Sequence, residues 1–295
     1  MRNFLGSLMA AALLASGALA QPYIMMPDST NNRIVTFDPF DGSVMNPNLF
    51  ALAGGTPIHA MVVGNEIWVS EQGGDRVSRW SMTGTPLGQI GTAGLDNIRG
   101  MGLVAGTVYV TNAGTANGAP GNAVVMFDTN GNPMGSFTTT GLAPSPFGIL
   151  AHQGGILVSS SSGNNDIHKF NLAGGSIGAF HNSTSLNFAE QMNYAADGNV
   201  LVAGFSSNNV VRLDVNTGAL IESFAASGAR GVIQLGNGNI MWTNGSGAHV
   251  FNVTTRTSSL VYSGGGRYLE LVPEPMSLFG LGAGLALLAR RRRKA

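Results

Sequence analysis

Short apolar triplets recur along the chain at a near-constant interval. They are Ile24-Met25-Met26, Ile67-Trp68-Val69, Val108-Tyr109-Val110, Ile156-Leu157-Val158, Val200-Leu201-Val202 and Ile240-Met241-Trp242, spaced 43, 41, 48, 44 and 40 residues apart. Each is followed by a second apolar stretch that ends in a large residue: Phe37, Trp80, Phe127, Phe170, Leu213 or Phe251. Apolar and polar side chains alternate through Arg76-Val77-Ser78-Arg79-Trp80 and Asn209-Val210-Val211-Arg212-Leu213. That period of two is the signature of half-buried strands. Gly42, Gly84, Gly131, Gly174 and Gly218 close the turns that follow in five copies, where glycine accepts a positive φ at little cost, and Thr254-Thr255-Arg256 closes the sixth without one.

A further apolar strand precedes each of the last five triplets, at residues 57–63, 98–104, 146–152, 189–195 and 229–235, and one more at 266–272 has no triplet after it. The triplet at Ile24 has no such strand before it. A period in the low forties built of short strands predicts an all-β, six-bladed β-propeller of four-stranded blades. The two gaps predict how the ring closes: residues 266–272 form the innermost strand of the blade whose other strands lie in residues 23–50, which leaves no unpaired first or last blade. The long connectors 91–97, 138–145 and 181–188 and the insertion 114–121 fall on one face, where function is expected.

The repeats assign most of the 295 residues to one domain. With 43 glycines and 10% charged residues the chain is turn-rich and weakly charged, and with no cysteine it has no disulfide, thiolate metal site or cysteine nucleophile. Its formal net charge of zero hides an asymmetry. Residues 21–272 carry nine Arg and Lys against fourteen Asp and Glu, a net of −5, while Arg290 to Lys294 are five consecutive basic residues. A nucleic-acid partner is not expected, because the basic charge sits on the tail and not on the body.

Three segments follow. Residues 1–20 have Arg2, an apolar run and Ala18-Leu19-Ala20, the small-x-small pattern of a signal peptide cleaved before Gln21. Residues 21–272 are the propeller. Residues 273–295 hold Pro273-Glu274-Pro275, an apolar segment from Met276 to Ala289 and the basic cluster. Fourteen apolar residues make a helix of about 21 Å, short of the roughly 30 Å hydrocarbon core, so flanking residues or a thinned bilayer must complete a transmembrane helix. The basic end is expected to stay cytoplasmic.

Asp28-Ser29-Thr30-Asn31-Asn32-Arg33-Ile34-Val35-Thr36-Phe37-Asp38, with similar wording at 163–171 and 206–214, resembles the NHL-type propeller repeat, although the Asn-His-Leu triplet itself is absent. The C-terminal arrangement resembles the PEP-CTERM sorting signal of Gram-negative bacteria. That resemblance implies recognition of Pro273, Glu274 and Pro275 by a membrane exosortase, passage through the secretion machinery, an inner-membrane-anchored intermediate, and a final address at the cell surface or in an extracellular matrix rich in exopolysaccharide.

Local motifs carry little chemistry. Gly174-Gly175-Ser176-Ile177-Gly178 matches a nucleophile elbow but falls in a hairpin, and Asp128-Thr129-Asn130-Gly131-Asn132 lacks the glycine and glutamate of a calcium loop. The five histidines have no zinc spacing, and no cofactor or metal is expected. One constellation emerges when the innermost strands are aligned on Met61, Met101, Ile149, Met192, Val232 and Leu269. Two positions earlier come His59, Arg99, Phe147, Glu190, Arg230 and Arg267, one per blade. Three of the body's nine basic residues on six equivalent positions predict a positive ring at the channel mouth, suited to a carboxylate, sulfate or phosphate. The expected function is a non-enzymatic binding or structural module, with an anionic polysaccharide or an envelope protein as its partner. The alternative is a hydrolase, lactonase or lyase with Glu190 and His59 as acid or base and the arginines on the substrate. A matrix protein whose rim contacts other copies and a rim of merely solvated charge are further possibilities.

Overall fold

A computed structural model of the chain describes residues 21–91, 93–161 and 166–273. Ala18, Ala20, Glu274, Pro275, the signal peptide and the C-terminal apolar segment lie outside the described residues. Blade 1 contains β1 (Tyr23–Asp28), β2 (Arg33–Phe37) and β3 (Val44–Ala51). Blade 2 runs outward through β4 (Pro57–Val63), β5 (Glu66–Glu71), β6 (Arg76–Ser81) and β7 (Pro86–Ile90). Blade 3 has β8 (Ile98–Val104), β9 (Thr107–Asn112), β10 (Ala123–Asp128) and β11 (Pro133–Thr138). Blade 4 has β12 (Pro146–His152), β13 (Gly155–Ser160), β14 (Ile167–Asn171) and β15 (Ser176–His181). Blade 5 has β16 (Ala189–Tyr194), β17 (Val200–Gly204), β18 (Asn209–Leu213) and β19 (Leu220–Ala225). Blade 6 has β20 (Gly231–Gln234), β21 (Ile240–Asn244), β22 (Gly247–Asn252) and β23 (Thr257–Ser263). The last strand, β24 (Glu270–Val272), pairs antiparallel with β1 as the innermost strand of blade 1, so the six four-stranded sheets form a closed ring.

The triplets explain how the ring coheres. Each lies on a second strand, where successive side chains point to opposite faces. Ile67 and Val69 therefore pack in the seam between blades 1 and 2, while Trp68 packs in the seam between blades 2 and 3. The same division holds for Val108 and Val110 against Tyr109, for Ile156 and Val158 against Leu157, and for Val200 and Val202 against Leu201. One hydrophobic cluster occupies each of the six seams. A repeat in isolation would leave both of its faces wet, and only its neighbours bury them.

At the closure the paired strand is shorter than the 266–272 expected. The ladder covers β24, and a single bridge joins Asp28 to Gly266. Asp28 supplies the rest of the contact: it is fully buried and accepts hydrogen bonds from the Gly265 N–H at 2.9 Å, from Asn31 and from the Tyr262 hydroxyl. A buried carboxylate that accepts several hydrogen bonds is stabilised in its charged form. Burial pushes the Asp28 pKa up, but the bonds from Asn31, Tyr262 and Gly265 outweigh it and hold the group at about 2.

Candidate functional site at the channel mouth

The innermost strands bulge where they enter the channel. Register shifts lie between Pro57 and His59, Ile98 and Met101, Pro146 and Ile149, and Ala189 and Met192. A bulge leaves residues out of the ladder and re-aims their side chains. Pairing with the third residue of each triplet sets the equivalences: Met101 faces Val110, Ile149 faces Val158, Met192 faces Val202 and Val232 faces Trp242. In blade 2 the partner of Val69 is Ala60, not Met61. The sequence alignment on methionine identity is thus one residue out in that blade. The mouth ring is Ile58, Arg99, Phe147, Glu190, Arg230 and Arg267, and His59 belongs to the layer beneath with Gly100, Gly148, Gln191, Gly231 and Tyr268. One residue of slip along a strand exchanges its faces, so the correction moves His59 out of the ring.

All six ring residues are held by their carbonyl oxygens, each from the preceding blade. Ser70 Oγ donates to Arg99 O, Thr111 Oγ1 to Phe147 O at 2.8 Å, Ser159 Oγ to Glu190 O at 2.6 Å, and Thr243 Oγ1 to Arg267 O at 2.7 Å. Where blade 5 has Ala203 and blade 1 has Pro27 at the equivalent place, backbone N–H groups take over: Gln191 donates to Arg230 O and Tyr268 to Ile58 O, both at 3.1 Å. The lower layer is close-packed. A Cβ on Gly100, Gly148 or Gly231 would lie 2.3, 2.4 or 2.5 Å from the carbonyl oxygen of the next blade's ring residue. Glycine at these places is what lets the strands converge.

The remaining side chains of that layer plug the channel. Gln191 reaches past blade 6, accepting from the N–H groups of Val232 and Leu269 and donating to Leu269 O. Tyr268 is fully buried, with its ring centroid 5.5 Å from that of His59. His59 Nδ1 accepts from the Met101 N–H, which puts the proton on Nε2, 3.4 Å from Glu270. Both imidazole nitrogens are therefore engaged, and His59 has no free lone pair with which to act as a base. Beneath the plug a cavity of about 360 Å³, lined by His59, Met61, Met101, Met192, Tyr268 and Glu270, opens toward the opposite face.

Above the plug the electrostatics are one-sided. Glu190 is fully buried and pairs with Arg230 at 3.1 Å; Arg230 stacks over Phe205, 4.4 Å from the ring centre. Arg99 lies 3.8 Å over the Phe147 ring and donates to Ser145 Oγ, Ser145 O and Pro146 O. Arg267 donates to Ser29 Oγ at 2.9 Å. Burial drives the Glu190 carboxyl up to about 7, against the pull of Arg230, Arg267 and Arg99. Burial lowers Arg99 to about 10, and burial followed by repulsion from Arg230 lowers Arg267. Burial, then the Glu190 charge, raises the Tyr268 phenol well above its ordinary value. Glu190 Oε2, the Tyr268 hydroxyl, Arg99 Nε and Arg230 Nε have no hydrogen-bond partner among the described residues. Three guanidinium groups around one carboxyl that burial pushes toward its neutral form make a site short of negative charge.

Other motifs fall elsewhere. Ser176 opens β15 in its hairpin with Oγ 2.8 Å from His168 Nε2, but the buried His168 Nδ1 has no partner among the described residues to orient it as a triad would. Among the described residues no group of three or more His, Asp and Glu side chains could hold a metal ion, and the guanidinium groups around Glu190 oppose a cation. Tyr268, Gln191 and the Ser/Thr staples escaped the sequence reading. The staples were visible there as a polar residue directly after four of the six triplets.

No protein-family model matches the chain, and no curated protein is similar to it in sequence. Solved structures share the fold. A chain of the nidogen/laminin complex is 11% identical with a TM-score of 0.70, covering 85% of this chain and 98% of that one. A protein of unknown function from Bacteroides caccae is 13% identical with a TM-score of 0.64, covering 86% and 100%. A catalytically inactive virginiamycin B lyase from Staphylococcus aureus, crystallised with quinupristin, is 14% identical with a TM-score of 0.58, covering 83% and 85%. At these identities the likeness is one of fold, which hosts a protein complex and a lyase alike.

Proposed function

We propose that this chain is an exported binding module of the cell envelope or extracellular matrix whose channel mouth takes an anionic ligand, with acidic polysaccharide as the ligand class. The observation that carries the proposal is the enclosure of Arg99, Arg230 and Arg267 around the single carboxyl of Glu190. An anion entering there supplies charge that the protein leaves missing, and planar guanidinium forks suit carboxylate or sulfate oxygens. Arg230 and Arg267 are half-buried and are the two that a ligand reaches, whereas Arg99 is buried and tied to the connector before β12.

The proposal extends to the chain ends: a signal peptide over residues 1–20, and a sorting segment over residues 273–295 handled by an exosortase, with residues 276–289 as a membrane anchor before processing. The test is binding of the full chain, purified in mild detergent, to immobilised acidic and neutral polysaccharides. Salt-sensitive retention on the acidic chains, lost in the Arg230→Gln, Arg267→Gln double variant, is the expected result. Equal retention of wild type and variant ends the proposal.

A second reading rests on Glu190 and Tyr268. A carboxyl near neutrality that acts electrostatically on a phenol with no hydrogen-bond partner among the described residues is an acid-base pair suited to proton transfer. A lyase or hydrolase of acidic sugars would use Glu190 in this way, without His59. Release of new chain ends by wild type but not by Glu190→Gln decides for it.

A further inference from the structure

Phe188 stands in an unusual backbone position. The residue immediately before each innermost strand adopts a left-handed conformation in blades 2 to 5: Thr56 at φ +57°, Asn97 at +52°, Ser145 at +52° and Phe188 at +56°. Blade 6 has Gly228 at the equivalent place, with φ +63°. Glycine and asparagine tolerate this conformation best, serine is small, and β-branched Thr56 is strained there as Phe188 is. A bulky aromatic there is an outlier, and among the described residues Phe188 is the one aromatic with positive φ. Strain of this kind persists where its surroundings over-determine it, and it clusters at ligand sites. The Phe188 carbonyl is fixed by the Phe205 N–H at 2.9 Å, so the backbone is held while the side chain is presented.

The presented ring completes an arc around the mouth. Phe147 and Phe188 have centroids 4.8 Å apart at 63°, and Phe188 and Phe205 5.0 Å apart at 58°. Arg99 caps the arc over Phe147 and Arg230 caps it over Phe205. Glu190 lies two residues beyond Phe188, at the second position of β16. Phe188 and Phe205 are half-buried, so both remain reachable from the connector face. Beside the arc, Ser29 Oγ accepts from Arg267 and Ser145 Oγ from Arg99, which places two hydroxyls against the guanidinium groups.

We infer that Phe188, with Phe205, is the stacking platform that makes the anion site select a sugar ring bearing a carboxylate. The inference rests on the anion-binding reading of Arg230 and Arg267. The C–H edge of a pyranose meets the negative face of an aromatic ring favourably, while the two neighbouring serine hydroxyls meet its hydroxyls. The carboxylate matches the guanidinium excess that ends the arc.

The test titrates the full chain in mild detergent with trigalacturonate, its methyl ester, sulfate and adenosine monophosphate. The key variant is Phe188→Asn, since asparagine tolerates the left-handed backbone and the variant should keep its melting temperature; Phe205→Leu is a second variant read the same way. In wild type, trigalacturonate is expected to bind about tenfold tighter than sulfate, and Phe188→Asn to remove that advantage with sulfate affinity unchanged. The inference is overturned if both variants keep the wild-type ratio of trigalacturonate to sulfate, or if adenosine monophosphate binds more tightly than the sugar acid. Anion binding with an unchanged ratio sinks the platform alone. Absence of binding by every anion sinks both the platform and the anion site.

Discussion

Glu190 shares an enclosed site with three guanidinium groups and still sits near neutrality, because desolvation outweighs attraction once the carboxyl is fully buried. This has a consequence for stability. The folded pKa of about 7 lies above the ordinary 4.5, so between these values the folded state holds the proton that the unfolded state has released. Stability therefore falls as pH rises through that window and levels off above it. In urea melts at pH 4.5 and 7.5, Glu190→Gln should remove a slope on the order of 1–3 kcal/mol that wild type shows. Arg230→Ala should act in the opposite sense. Without its partner the carboxyl rises further and keeps its proton, so the deficit from the lost pair is small at pH 7, grows above it by at most about 1.4 kcal/mol per pH unit, and is absent in acid, where the carboxyl is neutral. An equal loss at both pH values would show that Arg230 acts through packing on Phe205 instead.

At the scale of the strand, the hydroxyl after the triplet does more than polar decoration of a buried edge. Ser159 accepts from the Gly148 N–H at 2.7 Å and donates to Glu190 O, tying β12, β13 and β16 together. Ser159→Ala strands a buried donor and a buried acceptor at once. The expected loss is about 2–4 kcal/mol, read as a lower urea midpoint with unchanged m. Ser223, exposed on β19 and paired with Asn209 Nδ2, is the control, and its alanine variant should stay within about 0.5 kcal/mol of wild type. The strand ladder was open to sequence reasoning because its side-chain period is local. The register of β4 was not, since Met61 and Met101 resemble each other in identity but not in position, and only the pairing of Ala60 with Val69 separates them.

The ring as a whole depends on one seam made by the two ends of the chain. β24 contributes three paired residues, and Asp28 with Tyr262, Arg33 and Gly265 does the rest. The folded pKa of Asp28, about 2, lies below its ordinary 3.8. Its contribution is thus fully present above pH 4 and is lost as the pH falls through 2. Asp28→Asn should lower the melting temperature at pH 7 by an amount corresponding to roughly 1–3 kcal/mol, with the gap to wild type closing near pH 2. A gap independent of pH would assign the Asp28 contribution to something other than its charge, and no gap at all would leave the closure to β24 pairing.

The sequence by itself determined the blade number, the strand count per blade and the closure by the chain ends. Those rest on a repeated period of two and on residues that must bury both faces against neighbours. It also placed Arg99, Glu190, Arg230 and Arg267 at equivalent positions, because equivalence within a repeat is a matter of spacing. Tertiary structure decided what spacing cannot carry. The inward bulges chose Ile58 over His59 for the ring, and the glycine layer brought the strands close enough for Gln191 and Tyr268 to plug the axis. Burial set the charge of Glu190 against that of its neighbours. Phe147, Phe188 and Phe205 lie in three separate stretches of chain, and only the meeting of blades 4 and 5 makes them one surface. Side-chain pattern is written locally, whereas desolvation and convergence exist only once the ring has closed.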